Sequence, residues 1–400
     1  MVHASSKRRV FFQSAKVGMF FLPLAIFVSM FEFALPLRLD SIESSLSLIG
    51  LFISFSWIIT TFLDFFWGDF VDKIGKKNGA ILGIVIFGAS AFLFAFTDNF
   101  WVLFAFNMVA YLGYDLFYIS IQGYLVSTTP KKYFSYAASG FYPLWSLGFI
   151  FGPLISAYLI TTFHYNYVYL AAALLCGITI FLMHFLVERH PHPLAKHPMH
   201  SFISKKEFFT CMRYFKKLFQ RDSWLLIGIM VCTFWYSIML VGIPLLFLIE
   251  ENNIWLSALM LTAFIAPFVF TDFIVGFIAI NKKRRFILIT LGFLLGGCAL
   301  IAFYLNSNFW LLAAAVALST FGIDVAWTVF DIEAGVIAKK GEEGKIEGAF
   351  TFAKNLGWDT SPLFFGVVAQ FFGARIPFLL LGIGVLFLAV IFLIRHKQIK

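Results

Sequence analysis

Apolar runs of about 20 residues recur along the whole chain, each long enough for an α-helix to cross the hydrocarbon core of a bilayer. Twelve can be placed, at about residues 15–38, 45–67, 78–97, 99–127, 135–161, 165–187, 222–249, 254–280, 286–305, 309–337, 347–371 and 375–395. Lipid offers the backbone no hydrogen bonds, so a spanning chain is either helical or a closed barrel. Barrel strands read as segments of roughly ten residues of alternating hydrophobicity. These runs are longer and continuous, and are read as helices. Composition agrees: 13% of residues are charged, against about 25% in a soluble domain, whose surface must face water.

The net charge of +9 raises nucleic acid as a partner, but its distribution points elsewhere. Almost all of the 30 Lys and Arg fall at the N-terminus, in the even-numbered links or at the C-terminus. The other side keeps only Arg38 and Arg375, and Lys354 lies within a span. By the positive-inside rule both termini are cytoplasmic, and the lipid bilayer replaces nucleic acid as the partner. The first apolar run follows Lys7-Arg8-Arg9 but exceeds a signal peptide's apolar region and lacks a small-residue cleavage site, so it is read as a retained helix. Cys176, Cys211, Cys232 and Cys298 show no paired spacing, hence no disulfide framework and no metal site.

The only long link, residues 188–221, divides the chain into an N-terminal part (1–187) and a C-terminal part (222–400). Its Glu207-Phe208-Phe209 and Tyr214-Phe215-Lys216-Lys217-Leu218-Phe219 fit an amphipathic helix on an anionic leaflet. His184, His190, His192, His197 and His200 cluster around it, but Pro191, Pro193 and Pro198 break any helix that would template a ligand set, so no metal is assigned. The two parts repeat each other. Asp64 and Gly68 return as Asp272 and Gly276, and Pro36 as Pro244, at an offset of 208. Asn99-Phe100-Trp101, Gly113 and Asp115 return as Asn308-Phe309-Trp310, Gly322 and Asp324 at 209, as do Gly148 and Pro153 in Gly357 and Pro362. Ordered matches at a near-constant offset indicate an internal duplication. The expected fold class is therefore an all-α polytopic membrane protein, with twelve transmembrane helices in two pseudo-symmetric six-helix bundles.

After the second span comes Gly68-Asp69-Phe70-Val71-Asp72-Lys73-Ile74-Gly75-Lys76-Lys77. This segment resembles the signature of the major facilitator superfamily between its second and third helices. Gly148-Phe149-Ile150-Phe151-Gly152-Pro153 is similar to the Gly-x-x-x-Gly-Pro motif of the family's antiporters. Gln122-Gly123 matches the tail of a third family motif, although Ile119 stands where that motif has arginine. The resemblance covers essentially the whole chain. It implies two bundles rocking about a central site lined by the first, fourth, seventh and tenth helices. It also implies a gating role for Gly68, Asp72, Lys73, Gly75, Lys76 and Lys77, with Asp72 near the start of the eleventh span, where a helix N-terminus favours a carboxylate.

An ionisable side chain at the bilayer centre costs about 2.5–3.5 kcal/mol on insertion scales. Glu32, Asp115, Asp324, Lys354 and Asp359 lie within spans and are the candidates for proton coupling or substrate contact. Asn107, Tyr111, Tyr114, Asp115, Tyr118 and Gln122 recur at three- and four-residue steps, forming one polar stripe. Thr320, Asp324, Trp327 and Asp331 form its counterpart, and Lys354 has Asp64 as a candidate partner or an anionic substrate as ligand. Tyr142, Trp145, Tyr236, Trp327 and Trp358 are candidates for a pocket accepting flat or cationic compounds.

No phosphate-binding loop, zinc-protease motif or nucleophile elbow is present in the sequence, so neither an enzyme nor a cofactor is expected. The expected function is secondary active transport by alternating access: proton-coupled export of small hydrophobic or cationic molecules by a monomer in the cell inner membrane. The alternatives are an importer or uniporter of a polar metabolite such as a sugar or organic anion, and a non-transporting receptor or scaffold.

Overall fold

The computed structural model describes the backbone of residues 2–43, 45–129, 134–186, 205–278, 281–337 and 343–398, with side chains for most of them. Among these the chain is helical throughout: α1 (Val2–Ile42), α2 (Leu46–Ile74), α3 (Lys76–Phe94), α4 (Phe100–Thr128), α5 (Phe134–Thr162), α6 (Tyr165–Leu186), α7 (Lys205–Glu251), α8 (Ile254–Ile265), α9 (Phe268–Ile278), α10 (Lys282–Leu305), α11 (Phe309–Ile337), α12 (Glu343–Phe372) and α13 (Ile376–Gln398). Eleven segments of the described residues are long and apolar enough to cross a membrane. The remaining expected span is α12, whose polar residues, Lys354 and Asp359 among them, keep it below the hydropathy of the others.

Two helices depart from the sequence expectation. The eighth span, read as one run, is broken between α8 and α9 at Pro267, because proline lacks the N–H that continues the ladder and its ring clashes with the preceding turn. The seventh span continues backward as helix to Lys205, with non-helical φ −132° and ψ 42° at Asp222 marking the bend. Part of the amphipathic segment is thus helical. Its Phe215 ring lies 5.2 Å from that of Phe352, while Lys216, Lys217 and Phe219 are exposed. The His190–His200 cluster, and the side chains of Glu207, Phe208, Phe209 and Tyr214, lie outside the described residues.

The chain divides by contact into two compact units, Met1–Ile42 with Ile59–Ser204, and Glu43–Ile58 with Lys205–Lys400. In the first, α1 packs on α5, and α3 on α4 and α6; in the second, α7 packs on α12, and α10 on α11 and α13. The opening half of α2 belongs to the second unit, where Ser54 Oγ accepts from Leu363 N–H (2.9 Å) and Gln370 Oε1 from Leu46 N–H (2.8 Å).

The α1–α5 and α7–α12 pairings share one device. Pro153 in α5 has no N–H to give the carbonyl four residues back, that of Phe149. Ser29 of α1 donates its hydroxyl to that oxygen, 3.0 Å away. In the second unit Pro362 likewise deprives the Trp358 carbonyl, and Ser237 of α7 donates to it at 2.9 Å. The serines lie 208 residues apart and the carbonyls 209. Small residues bring the helices close enough for this. A Cβ on Gly148 would meet Ala25 Cβ at 2.4 Å, one on Gly152 would meet Ser29 Cβ at 2.6 Å, and one on Gly357 would meet the Met230 carbonyl at 2.1 Å. The Gly-x-x-x-Gly-Pro motif is thus a close-packed crossing with a proline-freed carbonyl satisfied from the neighbouring helix.

The duplication recurs elsewhere. Gly83 and Gly113 hold α3 against α4, as Gly292 and Gly322 hold α10 against α11. The Asn99 and Asn308 side chains both accept from the opening N–H groups of the helix that follows them. The carbonyls of Thr97 and Asn306, also equivalent, each accept from a guanidinium: Arg38 of α1 in one unit, Arg375 of the α12–α13 turn in the other. Arg38 also pairs with Asp98 (2.9 Å) and lies over the Tyr169 ring. Arg375 pairs through two nitrogens with Glu250 (2.6 and 2.7 Å), whose bond and charge raise the guanidinium's pKa above its ordinary value. The two arginines of the charge-poor side are therefore structural ties.

Removing the Ser29 hydroxyl strands a buried carbonyl and is expected to cost about 0.6–1.7 kcal/mol, the span of interhelical bonds measured in membranes. Pro153→Ala restores an N–H to the same carbonyl, so Ser29→Ala is expected to cost clearly less in that background. A double-mutant cycle on unfolding in detergent checks this; purely additive costs would contradict the account.

Candidate functional site

Two clusters of polar side chains lie at mid-span, one in each unit. In the first, Asp115 sits on α4 and its carboxylate accepts a hydrogen bond from Thr60 of α2. In the second, Asp324 sits on α11 and Thr271 Oγ1 of α9 donates to its Oδ2. The break at Pro267 sets Thr271 in the first turn of α9, where its N–H bonds the Pro267 carbonyl (3.1 Å). Two aspartates 209 residues apart are thus each held by a threonine, but the threonines are 211 apart. The repeat in sequence therefore pairs the aspartates and misses their donors. Asp324 is 3% exposed, whereas Asp115 is half-buried.

The stripe expected on α4 is present, with unequal surroundings. Asn107 is fully buried and neither side-chain polar atom has a hydrogen-bond partner among the described residues. Tyr111 is buried edge-on to Phe31 and Tyr114; Tyr114 stacks on Tyr118, which is exposed. Gln122 meets the Tyr142 hydroxyl through both amide atoms, at 2.9 and 3.2 Å. Trp145 stacks on Phe117 and Phe141. Glu32, on α1, is 6% exposed, and its Oε2 has no hydrogen-bond partner among the described residues. A buried carboxyl oxygen without a donor is costly in its charged form.

In the second unit, Tyr236 of α7 is the centre of an aromatic cluster. It stacks on Trp358 (4.8 Å between centroids) and meets Trp327 (5.8 Å), Phe264 (5.3 Å) and Phe268 (5.5 Å). Trp57, in the opening half of α2, lies 5.7 Å from Trp358. Lys354, one turn before Trp358, pairs at 2.7 Å with Asp331, one turn after Trp327. The sequence placed Asp331 in the stripe and offered Asp64 or a substrate for Lys354; Asp331, in the same unit, is a partner among the described residues. Asp64 and Asp272 have side chains outside the described residues. Asp359 is buried in α12. Trp57, Thr60 and Thr271 were missed, being ordinary residues of apolar runs with no distinguishing pattern.

Of the gating signature, the side chains of Gly68 and Asp72 lie outside the described residues. Gly75 stands at φ 88°, a left-handed conformation that suits glycine, and caps α3. Lys77 Nζ donates to the His184 carbonyl at 3.1 Å, the Lys76 stem lies over Gly123, and Lys73 is half-buried.

The model of the Major Facilitator Superfamily matches residues 17–358 and 254–399. The chain belongs to the major facilitator superfamily. An uncharacterized transporter of that type from Bacillus subtilis, YqjV, is 25% identical over 89% of the chain and 87% of its own length. The quinolone resistance protein NorA of Staphylococcus aureus is 27% identical over a stretch covering 39% of the chain and 40% of NorA. Among solved structures, the human organic anion transporter MFSD10 superposes with a TM-score of 0.70 at 14% identity, covering 97% of this chain and 99% of that one. A POT family transporter in complex with 5-aminolevulinic acid gives 0.73 at 13% identity, covering 95% and 96%. These likenesses establish the fold. With its many apolar helices, this superfamily member is a multi-pass membrane transporter.

Thr271→Val removes a donor from a buried carboxylate and is expected to destabilise the superfamily fold by about 1–3 kcal/mol; Thr271→Ser should recover most of it. Thr60→Val should cost less, because Asp115 has solvent as an alternative donor. Thermal unfolding of the purified variants reads both, and equal losses would contradict the ranking.

Proposed function

We propose that the protein is a proton-coupled exporter of small, moderately hydrophobic or cationic molecules, working by alternating access from the cell inner membrane with both termini cytoplasmic. The observation that carries this reading is the set of carboxyl groups within the spans: Glu32 buried with an oxygen that has no donor among the described residues, and Asp115 and Asp324 each beside one threonine. A carboxyl group in apolar surroundings exchanges a proton at modest cost when solvent reaches it, and it attracts a cationic substrate when deprotonated. The aromatic cluster around Tyr236 supplies a flat, apolar face suited to such a substrate. Partial similarity to a quinolone resistance protein is consistent with export of that class.

Import of an organic anion is the second reading, and Lys354 is the cation that would serve it. Its pairing with Asp331 leaves little net positive charge there, which favours the first reading. In the proposed mechanism Asp115, Asp324 and Glu32 exchange protons, Lys354 and Asp331 keep a charge-neutral wall beside the aromatic cluster, and the Lys73–Lys77 segment governs gating. Asp359, in the same helix as Lys354, is a further candidate for proton exchange.

Efflux of a fluorescent cationic dye from energised vesicles tests this. Asp115→Asn, Asp324→Asn and Glu32→Gln are each expected to fold, judged by thermal unfolding, yet to lose gradient-driven efflux by tenfold or more. An ionophore should abolish the wild-type flux. Retained efflux in all three variants, or flux indifferent to the ionophore, would overturn the reading.

A further inference from the structure

A cavity of about 220 Å³ opens where α7, α10, α11 and α13 converge at the basic end of the second unit, lined by Asp222, Trp224, Lys282, Phe286, Glu333, Ile337 and Arg395. It lies apart from the aspartates and aromatic cluster of the candidate site, and the transport reading makes no use of it. Its two acidic residues are both matched: Asp222 by Arg221 at 2.6 Å and Glu333 by the buried Arg285 at 2.5 Å. Its two basic residues are not. Among the described residues Lys282, which is exposed, forms no ion pair, and Arg395, with its guanidinium 5.2 Å from the centroid of the Trp224 ring, forms none either. The uncompensated charge of the cavity is therefore positive.

The duplicated fold does not demand this arrangement. Positions 209 residues earlier carry Ala15, Tyr124 and Leu186 where the cavity has Trp224, Glu333 and Arg395. The guanidinium's contact with the indole face is a cation–π one, which leaves its N–H groups free to meet an acceptor. Trp224, Phe286 and Ile337 supply an apolar wall beside the charges. A basic pocket between transmembrane helices at the headgroup level, part aromatic and part cationic, has the chemistry that holds a phosphate ester.

We propose that this cavity binds a phosphate-bearing anion through Lys282 and Arg395, with the phosphodiester headgroup of an anionic phospholipid as the occupant its apolar wall favours. The two cations converge on the phosphate, Trp224 and Phe286 flank the glycerol portion, and the Glu333–Arg285 pair closes the inner end. Occupancy would tie the ends of four helices together at the point where Asp222 bends α7, so the ligand should stabilise the second unit.

Native mass spectrometry of the purified full chain, with phosphatidylglycerol against phosphatidylcholine, tests this; thermal unfolding with glycerol 3-phosphate and with inorganic phosphate forms a soluble arm. Wild type is expected to retain phosphatidylglycerol about thirtyfold better than phosphatidylcholine, since each of the two cations near the headgroups contributes about 1 kcal/mol. Lys282→Gln with Arg395→Gln should erase that preference, while Lys283→Gln with Arg284→Gln, which removes equal charge from exposed neighbours outside the cavity, should keep it. Stabilisation by the soluble phosphates, lost in the first variant and without lipid preference, would support the phosphate site and assign it to a soluble ester. Equal lipid preference and phosphate response in both double variants would overturn the proposal. Should Arg395→Gln fail to fold, exposed Lys282→Gln alone must still reduce binding severalfold or the proposal fails.

Discussion

A proline inside a membrane helix leaves one carbonyl without its N–H, and lipid supplies no substitute. In both units a serine on the neighbouring helix donates to it, Ser29 to the Phe149 carbonyl and Ser237 to that of Trp358, which also accepts from Ser361 of its own helix. The serine reaches only because glycine at the crossing lets the backbones approach. Helix association in lipid lacks the hydrophobic drive available in water and depends on close packing and on such bonds. The α1–α5 and α7–α12 pairs are the most extensive pairings of their units, and they carry Glu32 on one side and Tyr236, Lys354 and Trp358 on the other. The candidate site thus inherits its geometry from these crossings.

The same economy governs the ionisable groups. Among the described residues of the second unit, buried charges have close partners, Arg285 with Glu333 and Asp324 with Thr271, and half-buried Lys354 pairs with Asp331. In the first unit Glu32 and Asn107 stand apart from that rule, buried with side-chain atoms that have no partner among the described residues. Buried polar atoms of this kind are rare in native structures and ask for an explanation.

The duplicated units show what repetition preserves and what it leaves free. The glycine crossings, the proline-freed carbonyls and the asparagine caps recur at 208 or 209 residues because each satisfies backbone geometry common to both halves. The guanidinium ties keep the receiving carbonyls, Thr97 and Asn306, but draw the arginine from different helices. A guanidinium on a long stem can reach one oxygen from several directions, so its position in sequence is free to drift. The cavity's Trp224, Glu333 and Arg395 stand where the first unit has Ala15, Tyr124 and Leu186, so these side chains are not ones the duplicated fold requires.

The apolar runs, their length and their spacing determined that the chain spans a membrane with helices, because backbone groups in lipid have to be satisfied within the segment. The offset matches determined the duplication, and with the Gly68–Lys77 segment they led to the superfamily. Glu32, Asp115 and Asp324 stood out as candidates in the sequence for a related reason: a carboxylate in an apolar run is costly. Tertiary structure alone decided the partners. Thr60 and Thr271 look like any hydroxyl residue of a span, and Lys354 had several carboxylates within a plausible turn of helix. Trp57 joined the aromatic cluster of the second unit only because the opening half of α2 packs there. Periodicity gives the face a residue occupies, but helix rotation, proline breaks and crossing distance settle which neighbour that face meets.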